Sequence, residues 1–201
     1  MAEPRRLRTF IALLLPQQCI ALLLQARQAM EAVSEAGSVR WVGPEHLHLT
    51  LKFLGDTPEL HLPAIADAVE RVAGGAAPAR LQLGDVDAFP SVSRPRVIWA
   101  GVEGDLHALA ALHQSLEQAL SSLAIAPDGR AFTPHITLGR VRENARPAAV
   151  QRLATALTGV RFPEPPLQFE TGRLVLFQST LTPRGPSYTS LAEGAIGSNR
   201  P

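Results

Sequence analysis

Apolar residues along this chain change their period several times, and each change marks an element. Residues 7–15 are apolar on both faces, as in a strand at the centre of a sheet. Pro16 suits a first helical turn because it has no N–H to leave unpaired. Cys19, Leu22, Leu23, Ala26 and Met30 then recur at helical spacing as far as Gly37, a suitable C-terminal stop. Residues 39–42 form a short strand, and Gly43, Pro44 and Glu45 a turn. The clearest alternation follows, with Leu47, Leu49, Leu51 and Phe53 against His46, His48, Thr50 and Lys52. It predicts a half-buried strand that carries the second set on its open face. Residues 55–58 are expected to end this strand and start a helix, with Asp56 or Thr57 as cap. Leu62, Ile65, Ala66, Val69 and Val72 form that helix's apolar stripe, closed by Gly74 and Gly75.

Residues 80–89 and 96–102 read as strands, and the stretch 90–95 between them is too irregular for a tight hairpin. A helix over 105–123 puts Leu106, Leu109, Leu112, Leu116 and Leu120 inward, and 127–130 is a turn into another strand. Arg146 and Pro147 start a fourth helix with Val150, Leu153 and Leu157 inside. Strands at 167–180 and 187–193 flank a turn at 183–186, and residues 194–201 read as a frayed tail.

The alternating stretch has an echo. Pro134-His135-Ile136-Thr137-Leu138-Gly139-Arg140 repeats its His-x-Thr-x pattern with aliphatic x, His135 standing 87 positions after His48 (135 less 48). In each copy the histidine and threonine share one face of the strand. A single copy is a weak signal. Two copies, each followed by a turn and an amphipathic helix, are a stronger one. They predict an α+β fold: one bilobal domain over 1–193, with two pseudo-symmetric lobes of mostly antiparallel sheet, helices outside and a catalytic cleft between.

Histidine titrates near neutrality, so one imidazole can act as base while the other stays protonated. Cleaving a phosphodiester needs that pair: one group takes a proton from the nucleophile, the other protonates the leaving oxygen. Threonine hydroxyls can hold the non-bridging oxygens, and an arginine can offset charge in the transition state.

A net charge of +1 excludes nucleic-acid binding by bulk charge. It leaves local arginine clusters, for which Arg94, Arg96, Arg130 and Arg142 are candidates. The single Cys19 excludes an intramolecular disulfide and fits a reducing compartment. Arg5, Arg6 and Arg8 before an apolar run mimic a leader peptide. No small-x-small cleavage pattern follows, and Pro16, Gln17 and Gln18 interrupt the run well short of the ~20 apolar residues a bilayer requires. The expected location is cytoplasmic, with no membrane association and no obligate protein partner.

On these motifs the sequence resembles the 2H phosphoesterase superfamily. Its nearest likeness is the bacterial and archaeal branch of RNA 2′,3′-cyclic phosphodiesterases, first described as 2′-5′ RNA ligases. The likeness also runs through Arg6-Leu7-Arg8-Thr9-Phe10-Ile11-Ala12-Leu13, Arg40-Trp41-Val42 and Arg94-Pro95-Arg96-Val97-Ile98-Trp99-Ala100-Gly101. It implies that His48 is the proton donor to the leaving 3′ oxygen and His135 the proton acceptor that activates water, giving a 2′-phosphomonoester. Thr50 and Thr137 would hold phosphate oxygens, and Arg140 matches the family's arginine after the second motif. No metal or other cofactor is implied. The substrate would be RNA with a 2′,3′-cyclic phosphate end or a small cyclic nucleotide. Two alternatives stay open: the same site run backwards as a 2′-5′ ligase, and a non-catalytic module that holds RNA ends.

Strand alternation also raises a difficulty. Arg140 has the opposite parity from His135, so it faces the cleft only if a bulge or a strand end at Gly139 turns it. His46 shares a face with His48, which with His135 would make a zinc set, although no carboxylate or thiolate stands nearby. Lys52 is expected on the catalytic face. Phe10 and Tyr188 are candidates for stacking on a base. His61, His107 and His113 lie on predicted helices without a partner pattern.

Overall fold

The apolar run near the N-terminus becomes the central strand of a sheet, because only pairing on both edges satisfies a backbone buried on both faces. A computed structural model describes residues 5–129, 131–182 and 185–199. In chain order they form β1 (Arg6–Leu14), α1 (Gln17–Val33), β2 (Val39–Trp41), β3 (His48–Pro58), α2 (Leu62–Gly75), β4 (Arg80–Phe89) and β5 (Val97–Gly104). There follow α3 (Leu106–Ser121), β6 (His135–Val141), α4 (Pro147–Leu157), β7 (Gln168–Glu170), β8 (Arg173–Thr182) and β9 (Gly185–Ala195).

The strands make two antiparallel sheets, one ordered β3-β1-β8-β9 and the other β2-β6-β5-β4-β7. Helix α2 packs on β8, β9 and α3, while α1 packs on α4. The two lobes are therefore present, but they are not the two halves of the chain. The first sheet takes strands from both ends of the sequence, and the second takes β2 and the middle. The first lobe is not complete until β8 and β9 return to β1. The first motif lies on β3 and the second on β6, and these two strands meet across the lobes. Among the described residues no helix is long and apolar enough to cross a membrane.

Leu106, expected inward on α3, is exposed at the helix start, and three larger expectations change. β3 does not stop at Gly55. It runs on to Pro58 because β1 supplies partners throughout, from Thr9 opposite Gly55 to Arg6 opposite Pro58. Gly55 takes a φ of +69°, which glycine tolerates, and the Thr57 and Thr9 hydroxyls lie 2.7 Å apart in the interior. Asp56 and Thr57 are thus strand residues rather than caps, and one 3₁₀ turn, Glu59–His61, precedes α2. The single strand expected over 167–180 is two, since β7 pairs with β4 in one sheet and β8 with β1 in the other. The break falls at Thr171, whose hydroxyl accepts a hydrogen bond from the Ala79 amide at 2.9 Å.

The third change is at the C-terminus, where residues 194–199 do not fray. The Gly197 amide donates to the Ala73 carbonyl and the Asn199 amide to Gly74, each at 3.0 Å. They bind the carbonyls of the last turn of α2, where Ala73 also accepts from the capping Ala76 amide at 3.2 Å. Residues 200 and 201 lie outside the described residues, as does Arg130.

Candidate active site

Both motif strands carry a β-bulge at the same point. In β3, Thr50 pairs with Ala12 but Lys52 already pairs with Ile11, so two residues, Leu51 and Lys52, occupy one step of the ladder. Both are buried, and Phe53 emerges 61% exposed. In β6, Thr137 pairs with Trp99 and Gly139 with Ile98, so Leu138 is the extra residue. Leu138 and Gly139 are buried together, and Arg140 is exposed. Each bulge inverts the alternation that follows it.

The consequences are opposite for the two charged residues. Arg140 gains the parity of His135 and Thr137 and lies on the cleft face. Its charge reaches Tyr188 of the other sheet. Lys52 loses the parity of His48 and Thr50. It points away from the cleft into the protein, where its Nζ lies 2.8 Å from Glu117 Oε1 and 3.2 Å from Asp128 Oδ1. The expectation that Lys52 stands on the catalytic face is thus corrected.

The two histidines are held in the same way. His48 Nδ1 is 2.7 Å from the carbonyl of His46, and His135 Nδ1 is 2.7 Å from the carbonyl of Thr133. A carbonyl only accepts, so each Nδ1 carries the proton and each Nε2 is the free nitrogen. Phe10 stacks on His48 with centroids 4.9 Å apart, and Tyr188 meets it edge-on at 5.5 Å. Phe89 and Trp99 meet His135 edge-on at 5.2 and 5.9 Å.

Burial in its aromatic surroundings pushes the pKa of His48 down to about 4, outweighing the hydrogen bond to His46 that favours the charged form. The nearby His46 and His135 push the same way. Thr50 and Thr137 are half-buried beside the histidines, and among the described residues neither hydroxyl has a hydrogen-bond partner.

Other candidates separate cleanly. His46 ends a 3₁₀ turn, Pro44–His46, rather than belonging to the strand, and its ring packs edge-on against Tyr188 at 4.6 Å. Phe10 is only 3% exposed and serves as backing for His48, so it offers no free face to a base. Among the described residues, the set of side chains close enough to grip a metal is His113, Glu117 and Asp128, not His46, His48 and His135. The Lys52 ammonium already lies beside both of those carboxylates.

Sequence reasoning missed Arg8, Arg40, Trp99 and Phe177 as neighbours of the cleft. Arg8 shares a β1 face with Phe10, and Arg40 is the cross-strand partner of Arg140. Alternation from Phe10 could have found Arg8. Nothing local to Arg40 points to β6.

The family model of the 2′-5′ RNA ligase superfamily matches residues 23–182. The chain belongs to that superfamily. Among curated members, an RNA 2′,3′-cyclic phosphodiesterase of Thermus thermophilus is 34% identical, with the alignment covering 94% of this chain and 90% of that protein. One from Aquifex aeolicus is 31% identical over 79% of this chain and 82% of its own length. The crystal structure of TT0787 of Thermus thermophilus superposes with a TM-score of 0.76 at 30% identity, covering 94% of this chain and 98% of that one. The superfamily fold therefore extends over both lobes.

Proposed function

We propose that this chain hydrolyses RNA 2′,3′-cyclic phosphodiester ends to 2′-phosphomonoesters, with His135 as proton acceptor and His48 as proton donor. The observation that carries the reading is the matched pair of imidazoles on facing sheets. Each is fixed through Nδ1 and leaves Nε2 free beside an unengaged threonine hydroxyl. The names of the relatives, RNA 2′,3′-cyclic phosphodiesterase, support the substrate.

In this reading His135 Nε2 takes a proton from water, whose oxygen forms the new bond to phosphorus. The bond from phosphorus to the 3′ oxygen breaks, and His48 Nε2–H protonates that oxygen. Thr50 and Thr137 donate to the non-bridging oxygens, and Arg140 balances the charge that builds there. Burial favours the neutral form of His48. A cyclic phosphate anion beside the ring favours the imidazolium, so substrate arrives with uptake of a proton. Once charged in that setting, the imidazolium is a strong acid, suited to protonating a leaving alkoxide.

Ligation would replace the water with an RNA 5′-hydroxyl, and the relatives' names favour hydrolysis over it. Burial pushes the Cys19 thiol up to about 12 and leaves it unreactive.

The test is incubation with a 2′,3′-cyclic-phosphate oligonucleotide in strong chelator, followed by identification of the product. A 2′-phosphate is expected, with a loss of about 10²–10⁴ in rate for His48→Ala or His135→Ala in a folded protein. A 3′-phosphate product would reverse the choice of leaving oxygen. Loss of activity in chelator with recovery on adding zinc would sink the reading.

A further inference from the structure

Six arginines of this protein, Arg5, Arg27, Arg80, Arg146, Arg152 and Arg173, each pair with a glutamate. Among the described residues the arginines at the cleft do not, and neither do the exposed Arg71, Arg94, Arg96 and Arg142. Among the described residues Arg8, Arg40 and Arg140 have no ion pair and no side-chain hydrogen bond, although all three are exposed there. Asp56 stands opposite Arg8 in the register but its carboxylate is not joined to it.

The three come from different strands and meet at one place. Arg40 and Arg140 are direct cross-strand partners on β2 and β6, so the bulge that turns Arg140 to the cleft puts Arg40 on the same face. Arg8 comes from the other sheet, two residues before the Phe10 that stacks on His48. Between the sheets stands Tyr188, edge-on to both Phe10 and His48. Burial raises the Tyr188 pKa, and the charges of Arg140, Arg8 and Arg40 oppose that rise, which places all three within electrostatic reach of its hydroxyl.

Three cations without partners repel one another unless an anion joins them, and guanidinium forks match phosphate oxygens in geometry as well as charge. The row Thr137, Arg140, Arg40 leads outward from the reacting centre along one face of the second sheet. We propose that Arg8 and Arg40, with the Tyr188 hydroxyl, form a second phosphate subsite that holds the phosphate on the 5′ side of the terminal cyclic nucleotide. The assignment rests on the hydrolase reading and adds a substrate preference to it. RNA ends and 5′-phosphorylated nucleotides are favoured over cyclic nucleosides with a free 5′-hydroxyl.

The experiment compares kcat/KM for three substrates: a nucleoside 2′,3′-cyclic phosphate, the same compound with a 5′-phosphate, and a dinucleotide ending in the cyclic phosphate. The wild type should favour the second and third. In Arg8→Gln and Arg40→Gln that preference should shrink about tenfold per arginine, through KM. Melting temperatures of the variants serve as the folding control. A wild type that treats the first two substrates alike overturns the subsite, as does a preference that both variants keep. If the wild type hydrolyses none of the three, the hydrolase reading fails instead. Calorimetric binding of non-hydrolysed 2′-nucleotides with and without a 5′-phosphate then decides the subsite separately. Tighter binding of the 5′-phosphorylated compound, lost in both variants, supports the subsite, and equal binding overturns it.

Discussion

Replacing Lys52 by methionine tests the bulge in β3 and the ion network it creates. The Lys52 side chain is 1% exposed, and its Nζ contacts Glu117 Oε1 at 2.8 Å, Asp128 Oδ1 at 3.2 Å and the Ala126 carbonyl at 3.0 Å. Methionine keeps most of the stem and removes the charge. Asp128, 47% exposed, returns to water, but among the described residues Glu117 at 15% keeps only His113 beside it, 3.7 Å away. Breaking a buried pair costs about 3–5 kcal/mol, and the partial exposure of Asp128 places this case near the lower end, about 3 kcal/mol. For a chain of this size that is a fall in Tm of about 6–12 °C. Lys52→Met with Glu117→Gln should recover part of the loss, giving a coupling energy of about 1–3 kcal/mol in a double-mutant cycle. The assay is thermal melting of the four proteins by calorimetry. A Lys52→Met variant that melts within about 2 °C of the wild type would refute the network, and so would strict additivity in the cycle. The catalytic consequence is also specific. The segment that Lys52 pins carries Phe132, stacked on His113 at 4.2 Å, and then Thr133, whose carbonyl fixes His135. Activity should therefore fall mainly in kcat.

Three further outcomes follow from the same geometry. His48 has a folded pKa of about 4 against 6.5 unfolded, so between those values the unfolded chain binds more protons and stability falls as pH drops from 6.5 to 4. The full shift corresponds to about 3 kcal/mol, discounted to about 2 for partial exposure. Urea melts at neutral pH and near pH 4 should show this loss in the wild type and lack it in His48→Gln, and identical slopes would remove the case for a desolvated ring. A Cβ on Gly139 would come within 2.8 Å of Trp41 and 2.9 Å of Val39, so Gly139→Ala should displace β2, cost roughly 1–3 kcal/mol, and lower kcat/KM much as Arg140→Gln does. Unchanged melting and activity in Gly139→Ala would contradict the bulge. A Cβ on Gly194 would meet the Ala73 side chain at 2.7 Å and the Glu70 backbone at 2.9 Å, so Gly194→Val should lift the C-terminal segment from α2 and expose the Ala73 and Gly74 carbonyls. Hydrogen exchange at the Gly197 and Asn199 amides reads this, and unaltered protection would show that the segment does not need that contact.

Whatever depends on neighbours along the chain could be read from the residues alone. Alternation fixed which residues of each motif share a face up to its threonine, and helical spacing located all four helices. The paired motifs named His48, Thr50, His135 and Thr137 as one chemical set. Those signals are local, because side-chain direction repeats every two residues in a strand and every 3.6 in a helix. Whatever depends on a partner strand came only with the assembled sheets. Lys52 turns inward and Arg140 turns outward because β1 and β5 skip a residue of their partners, a property of pairing that neither motif encodes alone. The same holds for the first lobe, which is closed by strands from opposite ends of the chain, and for the C-terminal segment that caps α2. The convergence of Arg8, Arg40 and Arg140 on Tyr188, and the burial that keeps His48 neutral, exist only once two sheets face each other. Charge and desolvation are set by what lies nearby in space.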